Sequence, residues 1–363
     1  MRSPALLRPL ACVAVLCLSA CVSNPPRSLE AVAPASPPAA VTTNAVPAAP
    51  APVRIGLALG GGAAKGFAHI GVIKMLEANG FTPDMVAGTS AGSVVGALYA
   101  SGLNPFELQA QAVALDEASI RDLQWSAGGL VKGQKLQDYV NAQVNHRPLE
   151  KLGKPFVAVS TRLEDGKRTV FARGNTGQAV RASSSIPGVF EPVLIGKQHY
   201  VDGGVVSPVP VDAVRELGAD IVIAVDISDK PRGQKPGNLL GTMSQSLAIM
   251  GHKLGQAELA RADVTVRPQV LHIGPTDFTQ RAQTIVEGEK AALAVMPQIR
   301  AKVAQLQAER AQAVLHAQQQ AEQAQQQAAR KAEQARLQDC LQQRSSWQKM
   351  AGMAGLDSSC AQP

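Results

Sequence analysis

The chain has 363 residues, of which 45% are hydrophobic and 3% aromatic, and its formal charge is +7. That length holds one large domain with appendages, and so few aromatics leave the core to Ala, Val, Leu and Ile. Setting aside Arg2 and Arg8, which belong to a removable leader, the fixed charge falls to about +5. No Lys/Arg run is interleaved with aromatics, which argues against nucleic acid as a partner.

The leader, MRSPALLRPLACVAVLCLSAC, sets two arginines before an apolar run from Leu10 to Leu18 and small residues before Cys21. This is the layout of a secretory signal, too short for a permanent span. Its close, LSAC, resembles a bacterial lipoprotein box. The resemblance implies cleavage after residue 20 and lipidation of the Cys21 thiol; the alternative is an ordinary signal peptide with a coincidental cysteine. Val22, where an aspartate would imply the inner membrane, implies the outer membrane, facing the periplasm. Cys12 and Cys17 leave with the signal, so Cys340 and Cys360 remain to form a disulfide in an oxidising compartment. Residues 21–52, rich in Pro and Ala, read as a disordered tether.

From Val53 the pattern changes. VRIGLALGGG is an apolar run ending in glycines, as for a buried strand entering a turn. Phe67, Ile70, Ile73 and Leu76 then recur every three residues, predicting a helix capped by Gly80. DMVAGTS predicts a strand and AGSVVGALYASG the helix that follows it. Residues 104–147 read as mainly helical, with Leu136, Tyr139, Val140 and Val144 on one face. PFVAVSTRL and KRTVFAR predict strands, GQAVRASSS a helix and ADIVIAVDIS another buried strand. A helix and a strand follow before residue 268. Strands alternating with helices predict an α/β fold with a mainly parallel sheet covered on both faces. The domain is expected to span residues 53–297. Residues 298–363 form a Gln/Ala-rich tail, helical by propensity but without a sustained coiled-coil seam, and so a solvated helix of unknown partner.

Three stretches carry chemistry. GTSAGS places Ser90 between Gly88 and Gly92, the spacing of a nucleophile elbow, between a strand-like and a helix-like run as that motif requires. The helix after Ser90 aims its first amides at developing negative charge. LGGGAAKG, residues 59–66, is a second glycine turn; it is no P-loop, because Lys65 is followed by Gly66 and Phe67, and it lacks the G-x-G-x-x-G spacing from Gly60. Such a turn can present backbone amides to an oxyanion. YVDGGVVSPVP delivers Asp202 on a turn before Gly203 and Gly204, although an Asp-Gly turn with a solvated aspartate is common.

Taken in order, GGGAAKGFAHIGVI, GTSAGS and VDGGVVSPVPV resemble the three motifs of the patatin-like phospholipase family. GLVKGQKL, RASSSIPGVFEPV and DIVIAVDIS also look like its bacterial members, and the resemblance runs from about Arg54 to Ala294. It implies a three-layer α/β/α fold and a serine lipid acyl hydrolase with a Ser–Asp dyad and no cofactor. Ser90 would attack the ester and Asp202 would take its proton. Amides of Gly61, Gly62, Ala63 and Ala91 would hold the oxyanion, and Gly60, Lys65, Gly66, Gly88, Gly92, Gly203 and Gly204 would support the motifs, Lys65 by bracing the loop. Ala63 departs from the family's glycine. An exposed aspartate near pKa ~3.9 is a feeble base, so the dyad requires a desolvated carboxylate or a very short hydrogen bond.

Of the histidines, His69 reads as a packing residue on the first helix, while His252 and His272 follow Asp202, and Ser90–Asp202–His272 would repeat the chain order of α/β-hydrolases. No His/Cys/Asp/Glu cluster has ligand spacing, so no metal is expected. Membrane lipids are the expected substrate and anchor. An acyltransferase, a broad esterase and a non-catalytic envelope binding protein are the alternatives.

Overall fold

The computed structural model describes residues 49–115, 131–230, 237 and 239–351. The expected leader, Cys21, most of the expected tether, residues 116–130 and Cys360 lie outside them. Among the described residues one sheet of eight strands runs β5-β6-β3-β2-β1-β7-β8, with β4 also paired to β3. Its centre is parallel: β3 (Phe156–Arg162), β2 (Met85–Thr89), β1 (Ile55–Leu59), β7 (Ile221–Val225) and β8 (Val264–Val266). Three short strands, β4 (Arg168–Phe171), β5 (Val193–Ile195) and β6 (Gln198–Asp202), form the antiparallel edge.

Every residue of β1, β2 and β7 is buried. Alternation sends Ile55, Leu57, Leu59, Val86, Ile223 and Val225 to one face and Ala58, Met85, Ala87, Val222 and Ala224 to the other. The first face is covered by α1 (Phe67–Ala78), α2 (Ala91–Ala100), α4 (Gln134–Gln143), α5 (Thr176–Ser183) and the start of α8 (Arg281–Ala351). The second is covered by α6 (Val211–Glu216) and the end of α7 (Leu239–Leu259). The layers are therefore helix, sheet, helix, as expected.

Local chemistry sets the helix ends. Past α1, Gly80 takes φ 82°; its amide bonds Glu77 O at 2.9 Å and that of Phe81 bonds Leu76 O at 2.9 Å, a Schellman closure. The helix α3 (Pro105–Ala114) begins with a capping box between Asn104 and Glu107, with proline at its first position.

The helix α8 differs from expectation. It runs through Pro297 without a break, although the sequence places the end of the domain there. Pro297 is exposed, so water can take the carbonyl bond that its missing N–H leaves open. What stops near it is burial: Ile299 is the last buried side chain, and the described residues beyond it are exposed or half-buried. Before it, Thr284, Ile285, Gly288, Ala292, Met296 and Ile299 form a helical stripe against α1. The crossing depends on two glycines. A Cβ on Gly71 would lie 2.0 Å from Ile285 O, and one on Gly288 2.0 Å from Ala68 O. Cys340 is disulfide-bonded on the exposed part of α8. Among the described residues no helix is long and apolar enough to cross a membrane.

Candidate active site

Ser90 stands between β2 and α2 with φ 53° and ψ −124°, a region that L-residues rarely occupy and one that costs about 1–3 kcal/mol. Its neighbours hold the turn. The Ser90 amide donates to Ser183 Oγ at 3.0 Å, and its carbonyl accepts from the Ser93 amide at 2.8 Å and the Ser93 hydroxyl at 2.7 Å. The flanking glycines allow the close approach: a Cβ on Gly88 would meet Gly92 O at 2.4 Å, and one on Gly92 would meet Leu59 O at 2.1 Å.

Asp202 reaches the same place through the sheet. The end of β2 pairs with β3, Thr89 opposite Val159, and the next residue of β3, Ser160, pairs with Asp202 at the end of β6. Gly203 then packs against Val159 O and the Thr89 side chain. The carboxyl is 6% exposed and Oδ1 accepts from the Gly204 amide at 2.7 Å. Burial pushes its pKa up to about 6, against the Ser90 hydroxyl and the Gly204 amide, which pull it down. The Ser90 hydroxyl thus lies close enough to act on the carboxyl, yet Oδ2 lacks a partner at full hydrogen-bond geometry. Loose alignment of this kind is common in sites that tighten only around substrate.

The glycine turn faces Ser90 across the top of the sheet. Gly60 donates to Val225 O and Gly61 to Pro208 O, each at 3.0 Å. The Gly61 amide is therefore committed to the fold and not open to a ligand, unlike the expectation for it. The amides of Gly62 and Ala63 make no hydrogen bond among the described residues. Ala91 is the first residue of α2, so its amide has no carbonyl a turn earlier to bind. Ala63 sits at φ 52°, in the left-handed region, which is where its departure from glycine has a conformational cost.

Lys65 and His69 lie beneath the turn, both fully buried. The Lys65 ammonium pairs with Asp229 Oδ1 at 2.6 Å, stapling the turn to the segment after β7. His69 Nε2 lies 2.8 Å from Gly60 O. A carbonyl only accepts, so Nε2 carries the proton; burial pushes the imidazole pKa down to about 4 and keeps the ring neutral. His69 thus positions the loop carbonyl. His252 lines the cleft but contacts Gln256, and His272 is exposed away from the lining. No histidine bonds Ser90 or Asp202 among the described residues, so the Ser90–Asp202–His272 arrangement is not formed. Nor do those residues contain a group of three His, Cys, Asp or Glu able to hold a metal ion.

Ser90, Asp202, Gly62, Ala63 and Ala91 open onto a cleft of about 690 Å³. Its walls are mainly apolar, with Phe67, Ile70, Val94, Leu98, Leu108 and Leu136 among them. Ser183 and Asp229 were not foreseen from the sequence. Ser183 falls in a run of serines that gave no hint which would turn inward, and Asp229 is remote in sequence from Lys65.

Residues 57–215 match the family model described as patatin-like phospholipase. An uncharacterised NTE family protein of Mycobacterium tuberculosis is 37% identical over 182 residues, covering 50% of this chain and 51% of its own. The human patatin-like phospholipase domain-containing protein 6 is 32% identical over 184 residues, covering 48% of this chain and 13% of its own. The chain thus spans about half the length of the mycobacterial relative. Among solved structures, VipD of Legionella pneumophila aligns with a TM-score of 0.47 and 16% identity, over 68% of this chain and 67% of that one. The stretch that is similar to the patatin-like phospholipase family model contains the elbow, the glycine turn and Asp202.

Proposed function

We propose that the protein is a serine lipid acyl hydrolase working through a Ser90–Asp202 dyad. The observation that carries this reading is a strained serine beside a buried carboxyl of raised pKa at an apolar cleft. Asp202 accepts the Ser90 proton as Oγ attacks the ester carbonyl. The amides of Gly62, Ala63 and Ala91 hold the oxyanion in a preorganised hole. Collapse expels the alcohol, which takes the proton back from Asp202 and leaves acyl-Ser90. Water, deprotonated by Asp202, then releases the fatty acid and restores the serine. A pKa near 6 leaves the carboxylate ionised at neutral pH yet more basic than an exposed one. The apolar walls suit an acyl chain. Lysophospholipids are the substrate class to try first, since one fungal relative, 27% identical over 278 residues, is named a lysophospholipase.

The reading includes a tether: Cys21, lipidated, would hold the domain at the outer membrane, where acyl esters are concentrated. Fatty-acid release from lysophospholipids, phospholipids and short acyl esters tests the activity, with Ser90→Ala, Asp202→Asn and His252→Ala compared. Loss in the first two alone supports the dyad, and an inert, folded wild type refutes it. Radiolabelled palmitate incorporated by wild type but not by Cys21→Ser tests the tether.

A further inference from the structure

Glu258 is a buried carboxylate, 6% exposed, on the last turn of α7 and outside the dyad. Ser207 donates its hydroxyl to Oε1, and the Val209 amide donates to Oε2 at 2.8 Å. The three residues so held, 207–209, reach all three motifs. Ser207 O accepts from the Thr89 hydroxyl at 2.9 Å, beside the nucleophile. Pro208 O accepts from the Gly61 amide at 3.0 Å, in the glycine turn. The Ser207 amide donates to Gly203 O at 2.8 Å, beside Asp202.

We infer that Glu258 is a positioning residue, whose carboxylate clamps residues 207–209 and through them sets the glycine turn, the elbow and the Asp202 turn in register for acyl transfer. This rests on the proposed hydrolase. Both oxygens accept, so the ionised form is the one that clamps; adding a proton removes an acceptor. Burial pushes its pKa up to about 7, and of its charged neighbours Asp212 raises it while Arg261, paired to Asp212, lowers it. The clamp therefore loosens on acidification near neutrality.

The test is steady-state kinetics on a lysophospholipid from pH 5 to 9, with the rate of fluorophosphonate labelling of Ser90. Glu258→Ala should lower kcat and labelling by about tenfold to a hundredfold, as expected for a displaced reacting group, and leave KM within about twofold. Glu258→Gln keeps one acceptor and an amide that the Ser207 hydroxyl can accept from. As the neutral isostere of the protonated acid, it should give a kcat between those of wild type and Glu258→Ala while abolishing the upper inflection near pH 7, leaving that of Asp202. If Glu258→Ala fails to fold, Ser207→Ala takes its place, with a smaller fall in kcat at unchanged KM. Unchanged kcat and labelling in a folded Glu258→Ala, or an upper inflection retained in Glu258→Gln, would overturn the clamp alone. A wild type that neither hydrolyses nor labels would overturn the dyad and the clamp together.

Discussion

At Asp202, the proposed role as base and the stability of the fold pull in opposite directions. Its folded pKa, about 6, lies above the ~3.9 of an unfolded aspartate, so the native state binds the proton more tightly. The stability this brings is fully present below about pH 4 and is lost as pH rises through 6. Asp202→Asn should therefore gain stability over wild type above about pH 6, by up to about 3 kcal/mol at pH 8, with the gain vanishing at pH 4. Thermal melts at both pH values check this. The same variant, like Ser90→Ala, should lose about a thousandfold or more in kcat/KM. In wild type, kcat/KM should rise with pH through about 6 as the base ionises, which a pH–rate profile would show. Ala63 offers a second contrast. At φ 52° it carries the left-handed cost that glycine avoids, so Ala63→Gly should stabilise by about 0.5–1 kcal/mol, net of the entropy glycine adds to the unfolded chain. Denaturant midpoints would read it.

Between elements, the tightest demand is where α1 crosses α8. Backbone lies 2.0 Å from where a Cβ would stand on Gly71 or Gly288, and no side chain can rotate away to make room. Gly288→Ala should push the helices apart and destabilise by about 2–3 kcal/mol, measured by urea unfolding. The effect belongs to stability first, because α8 supplies no residue to the cleft lining and acts by backing α1, which carries Phe67 and Ile70 into it. The elbow and the glycine turn are similarly short-range devices anchored by long-range partners: Ser183 for Ser90, Asp229 for Lys65.

For the molecule as a whole, the packed body and the exposed helix are distinct. Arg310 ties the helix to the body, bonding Asp220 at 2.7 Å and the carbonyls of Ala51 and Pro52. Truncation after residue 310 should leave melting temperature and hydrolysis within error of the full chain, since no described side chain beyond Ile299 is buried. Truncation before residue 281 should yield no soluble protein, because it bares the faces of α1 and β8 that α8 covers. Expression and melting of the two forms would separate these cases.

Much of this was legible in the chain. Apolar runs, the three-residue stripe through Phe67, Ile70, Ile73 and Leu76, and the Gly80 closure are local, and periodicity and turn chemistry report them directly. The elbow spacing around Ser90 belongs to the same kind, and so does the exposed Gln/Ala helix. Other features needed tertiary structure. The edge strands β5 and β6 are too short to stand out as patterns, and only the pairing of β6 with β3 brings Asp202 to Ser90. The Gly61 amide is spent on Pro208 rather than free, the Asp202 pKa is raised, and Glu258 meets Ser207 across the fold. α8 passes Pro297 because that position faces water. Burial and hydrogen-bond partnership depend on residues far apart in the chain, so local sequence determined which groups could act, and packing decided which of them were desolvated, satisfied or left open.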